Sequence, residues 1–89
     1  VMQIRPNPFS VSSNIDFSIP GETRVKISVY DAKGNELQVL KYQTFAAGKH
    51  SFTWSISDAS GNTLTPGKYF VKFDSGSYTE VKKVIVLEK

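Results

Sequence analysis

His50 is the only histidine of the 89-residue chain, which has no cysteine, so few side chains could act as a base or a nucleophile. A catalytic triad would require His50 to meet an acid and a serine through long-range packing, and the strained turn G-x-S-x-G does not occur. Alternation places His50 on the same strand face as Phe52 and Trp54, which favours a packing or edge residue over a general base. We therefore predict no catalytic residues and no enzymatic activity.

Two short segments, residues 31–35 and 58–62, share the spelling D-A-x-G-N and are the nearest approach to a metal site. A calcium loop needs several oxygen-bearing side chains at alternating positions and a bidentate acid, whereas each segment has one Asp and one Asn. Lys33 would also repel a cation. We interpret both segments as turns, and we predict no metal and no cofactor.

The stretch from Gly48 to Phe73 organises the chain, because it carries the only tryptophan and predicts two strands around a turn-rich loop. Apolar and polar residues alternate over residues 50–55 and again over residues 69–73, as in strands with one buried face. Pro66-Gly67 is a turn signal directly before the second strand, where Gly67 is the turn glycine. If the other strands pack on this pair, Trp54 lies near the centre of the core.

The same alternation predicts further strands over residues 14–19, 24–30, 35–41 and 78–87. Residues 1–9 are expected to form an extended lead-in, since Pro6 and Pro8 fix φ and exclude a helix. Residues 42–47 are expected to be irregular and to cross over before the Gly48 strand. About six or seven strands with turn signals every ~8–12 residues predict an all-β sandwich or barrel.

The inward-facing residues of these strands form the predicted core. They are Ile15, Phe17, Ile19, Val25, Ile27, Val29, Leu37, Phe52, Trp54, Leu64, Tyr69, Val71, Phe73, Val84 and Val86. In the strand over residues 35–41, either Val39 or Leu40 joins Leu37 in contacting the core.

The last strand departs from this pattern, because both of its faces are apolar. Val84 and Val86 lie on one face, while Ile85 and Leu87 lie on the other. Either the strand is covered on both sides, or it presents an apolar face to a partner. Tyr30 and Phe70 also fall off the inward register, as scattered surface residues or as part of an exposed patch with Ile85 and Leu87.

Composition excludes several classes of function. The net charge is +3 from eleven Lys and Arg against eight Asp and Glu, and the basic residues are scattered rather than clustered, so we predict no nucleic-acid partner. No apolar run approaches the ~20 residues of a membrane span, so no direct membrane insertion is expected. The chain begins with Val, and residues 1–5 do not have the apolar region of a signal peptide, so we expect residues 1–89 to be a single domain from the C-terminal part of a longer protein.

Five segments in order resemble the C-terminal sorting domain of proteins exported by the bacterial type IX (Por) secretion system of Bacteroidetes-type bacteria. They are residues 6–9 (P-N-P-F), residues 25–34, residues 47–54, residues 61–70 and residues 82–86. Each segment is weakly specific alone, whereas their order and spacing together are more specific. The resemblance implies an Ig-like antiparallel β-sandwich of about seven strands.

The resemblance also implies a function: a folded, non-catalytic signal that directs an attached N-terminal cargo to the cell surface or the medium, through the periplasm and the outer membrane. Its partners would be the outer-membrane secretion machinery and a sortase-like protease. The matching recognition residues are Pro6, Asn7, Pro8, Lys82, Lys83, Val84, Ile85, Val86, Leu87, Glu88 and Lys89, and the matching turn glycines are Gly34, Gly48 and Gly61.

The central half of the chain equally resembles the Ig-like domain of the flagellar hook-capping protein, so it indicates fold rather than role. The two ends of the chain are the parts that discriminate in favour of the sorting domain. Two alternatives remain open. One is a structural Ig-like accessory domain, either hook-capping-like or a spacer of an extracellular enzyme. The other is a carbohydrate-binding module, which would need a cluster of exposed aromatic residues drawn from Tyr30, Tyr42, Phe70 and Tyr78.

Overall fold

Two antiparallel sheets make up the part of the chain that the computed structural model describes, which is residues 2–5, 7, 12–55 and 64–87. Their strands are β1 (Met2–Arg5), β2 (Ser12–Ile19), β3 (Thr23–Asp31), β4 (Glu36–Phe45), β5 (Gly48–Ser55), β6 (Gly67–Asp74) and β7 (Thr79–Val86). One sheet has the order β1-β2-β5 and the other has the order β4-β3-β6-β7. The predicted Ig-like β-sandwich of about seven strands is confirmed.

The core is the apolar layer between the two sheets, and alternation along each strand generates it. Its members are Met2, Ile4, Ile15, Phe17, Ile19, Val25, Ile27, Val29, Trp54, Leu64, Tyr69, Val71, Phe73, Val84 and Val86. Trp54 is only 2% exposed, as the sequence predicted. Leu37 and Phe52 are half-buried and pack against this layer from its margin rather than within it.

Strand β1 was not predicted as a core element. Residues 2–5 pair with β2, placing Met2 opposite Phe17 and Ile4 opposite Ile15, and both apolar side chains of β1 are buried. The prediction of an extended lead-in gave the backbone shape but missed the pairing. The reason is that the alternation of Met2 and Ile4 with polar residues is only four residues long.

The expectation of an irregular segment over residues 42–47 is wrong for residues 42–45, because β4 continues to Phe45 and pairs with β3 along its length. Residues 46 and 47 lie outside the strands and connect β4 to β5, as expected. The register with β3 skips Leu40 and Leu37, which interrupts the two-residue period of β4. Residues 42–44 are all exposed, so no apolar alternation marked this end of the strand in the sequence. Of the two candidates for the second core contact of β4, Leu40 packs on the core, whereas Val39 is 41% exposed.

The β3–β4 turn is held by one carboxylate. Asp31 Oδ1 accepts hydrogen bonds from the backbone N–H groups of Lys33 and Asn35, each at 2.9 Å. The hydrogen bonds from Asn35 are the main reason that the pKa of Asp31 lies below its usual value. Gly34 takes the left-handed conformation with φ +93°. Gly48 and Gly67 also have positive φ, at +120° and +151°. Gly61 and the second D-A-x-G-N segment lie outside the described residues.

Two valines of β7 provide a matched test of the core. Val84→Ala should lower the free energy of unfolding by about 2 kcal/mol, because a buried side chain is replaced by a cavity. Val81→Ala should change it by less than about 0.5 kcal/mol, since Val81 is 54% exposed. Urea unfolding followed by Trp54 fluorescence measures both variants, and equal losses would contradict the assigned faces of β7.

The left-handed turn residue provides a second test. Gly34→Ala should lower the free energy of unfolding by about 1–2 kcal/mol, because a Cβ atom is disfavoured at φ +93°. Gly21→Ala is the control, since Gly21 has no left-handed φ and open space where its Cβ would lie. Thermal unfolding of both variants measures the difference, and a Gly34→Ala variant as stable as the control would refute this account of the turn.

Candidate recognition surface

Asn7 of the lead-in contacts the terminal strand β7 directly. Its Nδ2 donates a hydrogen bond to the Lys83 carbonyl oxygen at 3.0 Å, and its Oδ1 accepts one from the Ile85 N–H at 3.1 Å. These contacts join residues 76 and 78 positions apart in the chain. One side-chain amide therefore connects two of the segments that the sequence predicted for recognition.

A second contact joins the same two parts of the fold. The backbone N–H of Met2 donates to Glu80 Oε1 at 3.0 Å, and the same oxygen accepts a hydrogen bond from the Tyr78 hydroxyl at 3.2 Å. The Lys82 ammonium lies 3.3 Å from Glu80 Oε2. Partial burial alone would raise the pKa of Glu80, but the Met2 and Lys82 hydrogen bonds outweigh it, and the net shift is downward.

Sequence reasoning missed both Met2 and Glu80 as members of this surface. The alternation of Met2 and Ile4 was the available signal for a strand at the start of the chain. Nothing in the sequence indicates that Glu80 meets a residue 78 positions earlier. That pairing follows only from the way the two sheets stack.

The contact with Asn7 identifies the free side of β7. Strand β7 lies at the end of its sheet and pairs with β6 on one side only within the described residues. In an antiparallel strand, the N–H and C=O groups of one residue point to the same side, and this side alternates from one residue to the next. The N–H and C=O groups of Val81, Lys83 and Ile85 therefore point away from β6. Asn7 thus bonds to backbone groups of the kind that an edge strand offers to an added strand.

The outer face of β6 and β7 alternates lysine with apolar residues along and across the strands. The cross-strand pairs on this face are Lys68 with Ile85, Phe70 with Lys83, and Lys72 with Val81. Val81 is exposed, and Ile85 and Phe70 are half-buried. Beyond the strand, Leu87 is 45% exposed. The apolar residues of this face are therefore partly covered by their neighbours and flanked by positive charge.

The predicted recognition residues of β7 divide into two groups. Val84 and Val86 are buried in the core, so a partner cannot touch them while the domain is folded. Lys82, Lys83 and Leu87 are exposed. Pro6, Pro8, Glu88 and Lys89 lie outside the described residues.

Tyr30 belongs to a hydrogen-bonded cluster on the same sheet. Its hydroxyl accepts from Ser28 Oγ at 3.2 Å and donates to Glu36 Oε2 at 3.4 Å, and Lys26 Nζ lies 3.3 Å from the same carboxylate oxygen. These groups cover Ser28, which is buried although it lies on the outer face. Tyr30 is thus half-buried and satisfied by its neighbours.

The exposed aromatic residues needed for a carbohydrate platform are separated. Tyr42 lies on β4 beneath the Arg24 guanidinium, 5.4 Å from it, while the Tyr78 ring packs near Phe73 by the start of β7. Strands β3 and β6 lie between β4 and β7. Tyr30 and Phe70 lie opposite each other on β3 and β6 but are half-buried. The exposed rings of Tyr42 and Tyr78 do not form one continuous surface.

His50 occupies a packing position. Its ring stacks on Phe17, with centroids 5.3 Å apart, and contacts Phe45 at 4.9 Å. Its Nε2 lies 2.7 Å from the Ala46 carbonyl oxygen, which can only accept, so Nε2 carries the proton and donates. This is the packing role that the alternation of the strand predicted.

The described residues contain no group of three or more His, Cys, Asp or Glu side chains arranged to hold a metal ion. In the same part of the chain, no helix is long and apolar enough to cross a membrane.

The outer face of the three-stranded sheet is polar: Arg5 and Ser51 both bond to Asp16, at 3.1 and 2.6 Å. Both hydrogen bonds lower the pKa of Asp16, and the one from Ser51 has the larger effect.

The solved structures similar to this chain include the following two. The crystal structure of dimeric latent PorU from Porphyromonas gingivalis superposes with a TM-score of 0.75 and 18% identity, covering 99% of this chain and 9% of that one. The crystal structure of FlgD from P. aeruginosa superposes with a TM-score of 0.60 and 27% identity, covering 86% of this chain and 64% of that one. This chain thus spans a small part of PorU and less than two thirds of FlgD.

The two neighbours correspond to the two resemblances found in the sequence. No curated protein sequence matches the chain. A family described as the FlgD Ig-like domain matches residues 9–79. Since this match spans most of the 89 residues, the chain belongs to the FlgD Ig-like domain family.

Proposed function

We propose that this domain is a non-catalytic sorting signal, which directs an N-terminal cargo of the same chain through the type IX secretion system to the cell surface or the medium. The observation that carries the proposal is the pair of hydrogen bonds from the Asn7 amide to β7. The lead-in and the terminal strand are the parts of the sequence that resemble a sorting domain rather than a hook-capping domain. Their contact makes them one surface.

The extents of the comparisons are consistent with this proposal. The FlgD Ig-like family match ends at residue 79, before nearly all of β7, and begins after the P-N-P motif. The likeness to PorU, whose name refers to the Por pathway, covers 99% of the chain and so includes both ends. At 18% identity that likeness concerns the fold, and it supports the idea that both ends are integral to it.

Within this function, the residues of β7 have different tasks. Val84 and Val86 hold the strand in the sandwich through burial. Lys83, Ile85 and Leu87 face outward and form the part that the outer-membrane secretion machinery contacts. The alternation of lysine with apolar side chains on this face is complementary to a partner surface that combines acidic and apolar groups.

The lead-in has its own task, because it connects the domain to the cargo. A sortase-like protease that separates cargo from signal would cleave near Pro6, Asn7 and Pro8. Since Asn7 is tied to β7, the protease would meet the junction next to the terminal strand. The scissile bond and the terminal signal are thereby presented together.

A structural accessory domain is the second candidate function. The family match over residues 9–79 favours it, because the Ig-like framework alone accounts for that part of the sequence. In such a role the domain would be a spacer or a hook-capping-like module. Its outer face on β7 would then have no export function.

Export of a fluorescent reporter fused ahead of Val1 tests the proposal in a bacterium with a type IX system. The reporter should appear outside wild-type cells and remain in the periplasm of a strain that lacks the translocon. Leu87→Ser combined with Lys83→Glu should lower export about tenfold or more, because both side chains are exposed on the recognition surface.

The matched control is Val39→Ser combined with Lys49→Glu. Val39 is an apolar residue of similar exposure on the opposite edge strand, and Lys49 is exposed on β5 of the other sheet. Control cells should export the reporter normally. Periplasmic retention in both strains for the unaltered domain would instead favour the structural accessory domain.

A further inference from the structure

The Asn7 side chain imitates the backbone of a neighbouring strand. In a pair of parallel strands, a residue bonds to the two neighbours of the residue that faces it. Its N–H donates to the carbonyl of the preceding neighbour, and its C=O accepts from the N–H of the following one. The Asn7 amide does the same around Val84, since it donates to the Lys83 carbonyl and accepts from the Ile85 N–H. The contact therefore shows that this edge of β7 can bond to one donor and one acceptor placed as in the backbone of a parallel strand.

The direction of the lead-in agrees with a parallel arrangement. Met2 contacts Glu80 near the start of β7, and Asn7 contacts Lys83 and Ile85 further along it. The chain from Met2 to Asn7 thus advances in the same direction as β7. A partner that replaced Asn7 in this geometry would run parallel to β7.

The residues next to Asn7 limit the number of backbone hydrogen bonds that this segment can donate to the edge of β7. Pro6 and Pro8 have no backbone N–H, so a regular ladder of backbone bonds from this segment would lack donors at both residues. The side-chain amide of Asn7 supplies the donor instead. A contact made through one exposed side chain is easier to displace than a full strand.

We propose that the edge of β7 between Lys83 and Ile85 is a docking site for an extended segment of a partner protein, running parallel to β7, and that Asn7 occupies this site as an internal competitor. The partner segment pairs with the strand through backbone bonds and presents acidic and apolar side chains to the lysine-rich outer face. Access to the terminal strand is then conditional on release of the lead-in. This inference deepens the proposed function, because it names how the receptor of the sorting signal engages the strand.

Amide exchange of the purified full chain tests whether Asn7 closes the edge. In Asn7→Leu, which keeps the branched shape and removes both hydrogen bonds, the Ile85 N–H should exchange about five- to tenfold faster than in the unaltered protein. Asn14→Leu is the matched control, because Asn14 is exposed on β2 and bonds Thr53 rather than β7. Ile85 exchange that is equal in all three proteins would overturn the inference.

A peptide titration followed by NMR tests the docking site. The probe is a capped peptide of alternating valine and glutamate with a spin label at one end. Asn7→Leu should bind it about five- to tenfold more tightly than the unaltered protein or Asn14→Leu, because the competitor is gone. Shifts should concentrate in residues 81–87, and the spin label should report a parallel orientation.

Equal affinity for all three proteins, binding elsewhere, or an antiparallel orientation would overturn the proposal. So would dimerisation of Asn7→Leu without peptide, since the site would then belong to a second copy. Asn7→Asp provides a further check, because it keeps an acceptor for Ile85 and loses the donor to Lys83, and its Ile85 exchange should stay closer to that of the unaltered protein. These measurements use no secretion, so their failure is distinguishable from a failure of the export experiment.

Discussion

Burial of the inner faces of the two sheets is the interaction on which the arrangement of the described strands depends. Trp54, Ile27 and Val71 occupy the layer that alternation along the strands creates, and they set how the sheets stack. This stacking brings Met2 of β1 to Glu80 of β7. The contact of Asn7 with the terminal strand is a consequence of that packing, because Asn7 follows β1 by only two residues.

Asn7 and the terminal strand β7 thereby lie on one surface. On its own, β7 is an edge strand with apolar residues on both faces, a combination that invites unwanted strand pairing. The fold buries Val84 and Val86, surrounds the outer apolar residues with lysine side chains, and places an amide against the backbone. The same features that protect the edge also define what could replace Asn7 there.

The sequence was sufficient for the sandwich and for most of its core, because alternation is a local property. The sequence did not predict those strands that are recognisable only from their pairing with a neighbouring strand. Residues 2–5 carry only two apolar residues, and residues 42–44 are all exposed, so both segments required their partner strands to be recognised. Likewise, resemblance identified the lead-in and the terminal strand as important, whereas the contact between Asn7 and Ile85 depends on three-dimensional packing across 78 positions.

In the free protein, the Asn7 side chain is bonded to the terminal strand. Scalar coupling across the hydrogen bond, between the Ile85 amide nitrogen and the Asn7 side-chain carbonyl carbon, measures this most directly in an isotope-labelled sample. We expect a detectable coupling to Ile85 and a matching one from Asn7 Nδ2 to the Lys83 carbonyl carbon. Absence of both couplings, together with free rotation of the Asn7 side chain, would contradict it.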